Sequence, residues 1–154
     1  MNLSQYRLDE KLLTIFEHLT DEQKIEKAIQ EYSIQDVVRI FTYYELEQYS
    51  YAKKLLLKKH RNNPYALFCY SSEIICGRWL EAEPAIMTDP YYAYLYSREV
   101  IKGRWLEAEP TIMTNAEYIY YYSLSIIKGR WPEAEPAIMK HSPYWRFYKD
   151  RFNL

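Results

Sequence analysis

Glycine is almost missing from this chain, with three residues in 154, and all three recur in one local context taken up below. Cysteine is as scarce. Cys69 and Cys76 are seven residues apart, which on a helix is two turns and roughly 10 Å, beyond disulfide reach. Both are expected as reduced thiols that act as small packing residues. No apolar run approaches the roughly 18 residues of a membrane-spanning helix. The opening MNLSQYRLDEKLL lacks a basic region followed by an apolar stretch and a small-residue cleavage site, so no secretory signal is expected and the protein is placed in the cytoplasm. Charge of one sign is lacking too: 20 Lys and Arg face 21 Asp and Glu, a net of -1. That balance argues against a dedicated DNA binder, whose phosphate contacts demand a basic excess. What the chain has instead is tyrosine, 18 residues, against 5 Phe and 4 Trp. Such an aromatic content excludes a disordered chain, and the length suits one ordinary domain.

Self-similarity is the main signal. GRWLEAEPAIM begins at Gly77, GRWLEAEPTIM at Gly103 and GRWPEAEPAIM at Gly129, an interval of 26 residues both times. The segments between agree as well: PYALFCYSSEIIC from Pro64, PYYAYLYSREVIK from Pro90 and AEYIYYYSLSIIK from Ala116. In the middle copy the like-for-like residues Ala93, Tyr96, Ser97, Val100 and Ile101 fall at i, i+3, i+4, i+7 and i+8, the stripe of an amphipathic helix. Each such helix then meets its glycine, expected to be the positive-φ residue that ends it. Pro132 replaces Leu80 and Leu106, as the first turn of a second, shorter helix allows. Pro84, Pro110 and Pro136 four residues on mean that this helix is either kinked or starts late. Ala82, Ala108 and Ala134 with Ile86, Ile112 and Ile138 mark its buried face, which Met87, Met113 and Met139 extend.

A long helix, a glycine turn and a short helix, repeated, predict an all-α protein of short helix-turn-helix repeats stacked as an α-solenoid, each unit covering the apolar face of the next. The spacing Gly77-x-Trp79-x-x-Ala82-x-x-x-Ile86, repeated at Gly103 and Gly129, resembles the tetratricopeptide and Sel1-like families. The period is 26 rather than the family's 34, and Tyr70, Tyr96 and Tyr122 stand where a small residue is usual, so the repeats are TPR-like. The GRWPEAEP form is also similar to repeats in uncharacterised proteins of large tailed bacteriophages and some bacteria. That resemblance covers about residues 64–154 and implies no known activity; a phage accessory role, such as engaging and inhibiting a host factor, is an expectation by analogy only.

Residues 63–154 are expected to hold the repeats and a C-terminal capping helix from Pro143, with Tyr148 in register with Tyr96. Residues 1–62 read as N-terminal capping helices. Ser4 would cap a helix running to about Leu19, with Leu12, Ile15, Phe16 and Leu19 inward. Thr20-x-x-Gln23 is a capping box for a second, and Ser33 caps a third along Val37, Val38, Ile40, Phe41 and Tyr44. Tyr49 to Lys59 is a further degenerate helix.

Among candidate sites, Arg78, Arg104 and Arg130 form a ladder that could grip an acidic partner. The alternative is that each pairs with the glutamate three residues on, Glu81, Glu107 or Glu133, or covers the neighbouring Trp. Glu83, Glu109 and Glu135 read as a solvated acidic row. Tyrosines in excess of one helical stripe must include exposed ones, and Tyr92, Tyr94, Tyr118 and Tyr121 are the expected partner contacts, the alternative being packing between adjacent helices of the stack. Lys53, Lys54, Lys58, Lys59, His60 and Arg61 form a basic cluster that could hold phosphates or nucleic acid. His18, His60 and His141 lack ligand spacing, so no metal and no cofactor is expected. No phosphate-cradling loop, nucleophile elbow or His-Glu-x-x-His is present, and the expectation is a non-enzymatic protein that binds another protein, with self-association a further possibility.

Overall fold

The computed structural model describes residue 8, residues 10–48 and residues 50–154. The described residues contain helices and no strand, in agreement with the 3.6-residue periodicity of the sequence. The proposed cap Ser4 and the residue Tyr49 lie outside the described residues. The chain divides into two compact units, Met1–Cys76 and Gly77–Leu154.

In the first unit, α1 (Glu10–Phe16) ends three residues short of Leu19. It buries Phe16 completely, with the ring 5.3 Å from that of Tyr32, whereas Ile15, expected inward, is exposed. Helix α2 (Asp21–Glu31) opens with the Thr20–Gln23 capping box, in which each side chain accepts the other residue's backbone N–H. In α3 (Ile34–Tyr44) the Ser33 hydroxyl accepts the Asp36 N–H, and Val37, Val38, Ile40 and Phe41 are buried. Helix α4 (Ser50–His60) packs on α2 and buries Ala52 and Leu56. Helix α5 (Pro64–Cys69) places proline in its first turn and is capped by the Asn63 side chain. It runs on into a π-helical turn, Tyr70–Ile74.

The second unit repeats one layout. Short helices α6 (Glu83–Ile86), α8 (Glu109–Ile112) and α10 (Glu135–Ile138) alternate with α7 (Pro90–Tyr96), α9 (Ala116–Tyr122) and α11 (Ser142–Phe152). The Asp89 carboxylate caps α7 by accepting the Tyr91 and Tyr92 N–H groups, and the Asn115 carboxamide does the same for Glu117 and Tyr118 at α9. Helices α7 and α9 each continue as a π-helical turn, Ser97–Ile101 and Ser123–Ile127. The Ser97 and Ser123 hydroxyls are buried there and donate back to the carbonyls of Ala93 and Ile119 at 2.8 Å.

The glycines do not make the stop in the expected way. The left-handed residue is the one before each glycine: Cys76 at φ 52, Lys102 at φ 58 and Lys128 at φ 58, and no glycine has positive φ. Gly103 and Gly129 instead donate their N–H to the carbonyls of Ser97 and Ser123 at 3.1 Å, the bond that wraps the helix end over itself. A Cβ at either glycine would meet nothing within 4 Å.

The short helices start late rather than kink. Each begins with Glu followed by Pro, where a missing N–H costs nothing, and the residues before it form a turn closed by Glu83, Glu109 and Glu135 N–H bonding to the Trp79, Trp105 and Trp131 carbonyls. Leu80 and Leu106 are 64% exposed in that turn, which is why Pro132 can replace them. Buried between the helices are Trp79, Trp105 and Trp131, Ala82, Ala108 and Ala134, and Ile86, Ile112 and Ile138. Each isoleucine contributes about 1.5–3 kcal/mol by leaving water. Met87 and Met113 are half-buried, but Met139 is exposed. Within this unit α7 packs on α8 and α9, and α9 on α10 and α11.

Candidate functional site

The arginines and glutamates of the repeat face each other, but not at the expected spacing. Arg78 donates through Nε and Nη2 to both carboxylate oxygens of Glu83 at 2.8 Å. Arg104 does so to Glu109 at 2.8 Å, and Arg130 to Glu135 at 2.9 Å. The separation is five residues because Arg78 to Ala82 is an irregular segment and a turn, not a helix. Glu81, Glu107 and Glu133 are exposed, whereas Glu83 and Glu109, read from sequence as a solvated row, are buried.

Each carboxylate is held from a third side by a tyrosine of the following helix. Tyr96 donates its hydroxyl to Glu83 at 3.0 Å, Tyr122 to Glu109 at 3.1 Å and Tyr148 to Glu135 at 3.3 Å. The same hydroxyls accept the backbone N–H of Trp79, Trp105 and Trp131 at 2.8, 2.8 and 2.5 Å. The Tyr96 and Tyr122 rings meanwhile lie 5.0 Å from the tryptophans of their own repeats, Trp105 and Trp131. A tyrosine here spans two repeats, its oxygen in one and its ring in the next, which a small residue could not do. Burial raises the Tyr96 and Tyr122 hydroxyls to about 12, so they remain neutral donors. At the last layer the hydrogen bonds from Arg130 hold the Glu135 carboxyl below its ordinary range. Three bonds to each carboxylate satisfy what burial would otherwise penalise. The arginine ladder is thereby engaged within the protein, although each Arg side chain is still nearly half exposed.

The tyrosines expected as partner contacts form a second, separate system. Tyr94 is stacked on Tyr118 at 6.1 Å and on Tyr121 at 6.2 Å, and Tyr91 meets Tyr118 at 5.5 Å and Tyr92 at 5.0 Å. The row continues through Tyr120 to Phe147 at 6.2 Å and from there to Tyr144 at 6.3 Å. Of the expected contacts, Tyr94 is buried, Tyr92 and Tyr118 are half-buried and Tyr121 is 40% exposed. Arg98 covers the Tyr94 ring and donates to its hydroxyl at 2.8 Å. Tyr94 therefore supports the row from beneath, and its exposed members are Tyr91, Tyr121 and Phe147. Phe147 was not singled out in the sequence. The signal was available, since residues 95, 121 and 147 share one position of the repeat.

The basic cluster is partly used inside the first unit. Lys59 donates to the carbonyls of Ile29 and Gln30 at the end of α2, the partial negative end of that helix. Lys54, Lys58 and Arg61 are exposed and Lys53 is half-buried. His60 is half-buried with its ring 5.6 Å from that of Tyr70, and burial lowers its pKa. Cys69 is buried, which raises its thiol to about 11, while Cys76 is exposed; both are free. Among the described residues no group of His, Cys, Asp and Glu is arranged to hold a metal ion, and no helix is long and apolar enough to cross a membrane. No family model matches the chain, and neither a curated protein nor a solved structure does.

Proposed function

We propose that this is a non-enzymatic protein whose second unit is a short TPR-like solenoid that binds another protein through its tyrosine-rich face. The aromatic row from Tyr91 to Phe147 carries the reading. Its inner rings are fixed by packing, so the exposed Tyr91, Tyr121 and Phe147 present apolar area and hydroxyls already ordered, at little entropy cost on binding. The glutamates and arginines of the repeat serve cohesion between layers, which leaves the tyrosine face as the part of the unit not absorbed by holding itself together.

The nucleic-acid reading is weaker on two observations. Each ladder arginine is neutralised by a bidentate carboxylate, and Lys59 is tied to helix carbonyls. Both reduce the positive charge free for phosphates.

The test is affinity capture by the full chain, compared with a Tyr121→Ser/Phe147→Ser double variant of unchanged melting temperature. The phage-like repeat directs the extract to a bacterial host. Loss of the captured polypeptide in the variant supports the reading, and equal capture removes it. A salt titration separates the alternative, because phosphate binding weakens steeply with ionic strength and aromatic-led binding changes little.

A further inference from the structure

The aromatic row has an acidic end. Where α9 and α11 begin, a cleft of about 250 Å³ is lined by Asn115, Glu117, His141 and Tyr144. That is below the about 300–1,000 Å³ of small-molecule pockets and suits one long side chain. Tyr118, stacked in the row, neighbours the same carboxylate: burial first, then Glu117 and Asp89, raise its hydroxyl pKa. Burial and Glu117 do the same to Tyr144. Among the described residues the ion pairs of this unit are Arg78–Glu83, Arg98–Glu99, Arg104–Glu109 and Arg130–Glu135, and none reaches Glu117 or Asp89. Asp89 is occupied by capping α7. Glu117, which shares the cleft with His141 and Tyr144 and is hydrogen-bonded to the Tyr144 hydroxyl, is in no ion pair among the described residues.

We propose that this cleft seats a lysine or arginine side chain of the bound protein, with Glu117 as its counter-ion and Tyr144 as its aromatic wall; the proposal rests on the protein-binding reading above. A carboxylate beside tyrosine faces attracts a cation twice, by direct charge and by the ring quadrupoles. An acidic or purely apolar segment gains neither term. Arg98, which already lies over Tyr94, shows the same chemistry satisfied within the chain farther along the row.

The test titrates acetyl-tetralysine amide and acetyl-tetraarginine amide into the isotope-labelled full chain, with tetraglutamate as control, and reads backbone amide shifts. Saturable shifts confined to residues 115–118 and 141–145 are expected. Glu117→Gln should weaken binding roughly fivefold, the upper range for one half-exposed ion pair. Tyr144→Leu should weaken it while Tyr144→Phe keeps it. Shifts spread over Glu81, Glu107 and Glu133, the same shifts with tetraglutamate, or indifference to both Glu117→Gln and Tyr144→Leu would overturn the proposal. Its failure is distinguishable from that of the parent reading. Capture lost in the Tyr121→Ser/Phe147→Ser variant but kept in full by Glu117→Gln leaves a protein-binding face without a cation subsite.

Discussion

Tyr70 in the first unit and Tyr122 in the second occupy the same position of the repeat and are both fully buried, yet their hydroxyls fare differently. Tyr122 accepts the Trp105 N–H and donates to Glu109, whereas the Tyr70 hydroxyl has no hydrogen-bond partner. The cause lies 26 residues upstream of Trp79 and Glu83, where the chain has Lys53 and Leu57. A repeat position is thus only half of an interaction. The tyrosine supplies a hydroxyl, and the preceding repeat must supply the tryptophan turn and the carboxylate that give it a use.

The largest effect should come from the residue the layer is built on. Trp105 is 2% exposed, contacts Tyr96 and offers its N–H to Tyr122. Trp105→Ala should cost about 3–5 kcal/mol in chemical denaturation. A melt that stays unchanged would mean that the ring lies outside the core and would undo the comparison at its root.

Next is the carboxylate. Glu109→Ala leaves the Tyr122 hydroxyl without its acceptor and Arg104 without its partner. Arg104 can turn to water, so the expected loss is about 2–3 kcal/mol rather than that of a fully buried pair. Glu107→Gln, two residues away and exposed, should change stability by less than about 0.5 kcal/mol. Equal effects at the two positions would show that the buried contacts of Glu109 are not what makes it matter.

That pair of glutamates also marks where the sequence was legible and where it was not. The 26-residue period, the helices, the buried Ala and Ile positions and the Thr20 and Ser33 caps were readable, because each follows from local periodicity or from cap chemistry within four residues. The assignment of Arg104 to Glu107 assumed helical geometry across a stretch that is irregular and then turns. The role of Glu109 depended on Tyr122, thirteen residues on in another helix, and no local rule reaches that far. The face of the tyrosines was legible in kind, since eighteen of them could not share one stripe. Which were exposed was decided by stacking between neighbouring helices, so that Tyr94 is covered by Tyr118 and Tyr121 while Phe147, passed over in the sequence, is open.

The hydroxyls themselves sharpen the contrast. Tyr122→Phe keeps the ring against Trp131 but orphans the buried Trp105 N–H, at about 1–2 kcal/mol. Tyr70→Phe removes a buried polar atom that has no partner, so stability should hold or rise slightly. Denaturant midpoints of the two variants, measured side by side, test this directly. A Tyr70→Phe loss as large as that of Tyr122→Phe would mean that the Tyr70 hydroxyl is satisfied in solution.

The last contrast concerns the helix stops, where the two units agree and the sequence misleads. Lys102 holds φ 58 and ψ 37, a conformation that disfavours any residue with a Cβ. The neighbouring Gly103 has neither positive φ nor a crowded Cβ position. Lys102→Gly should therefore raise stability by about 0.5–1 kcal/mol, the relief of left-handed strain less the added freedom of the unfolded chain. Gly103→Ala should be tolerated, because its N–H bond to Ser97 needs no side chain and a methyl group there meets open space. The opposite ordering, a gain absent at 102 and a loss above about 1 kcal/mol at 103, would return the turn to the glycine. The left-handed Cys76 offers the same test in the first unit through Cys76→Gly, with the same sign expected.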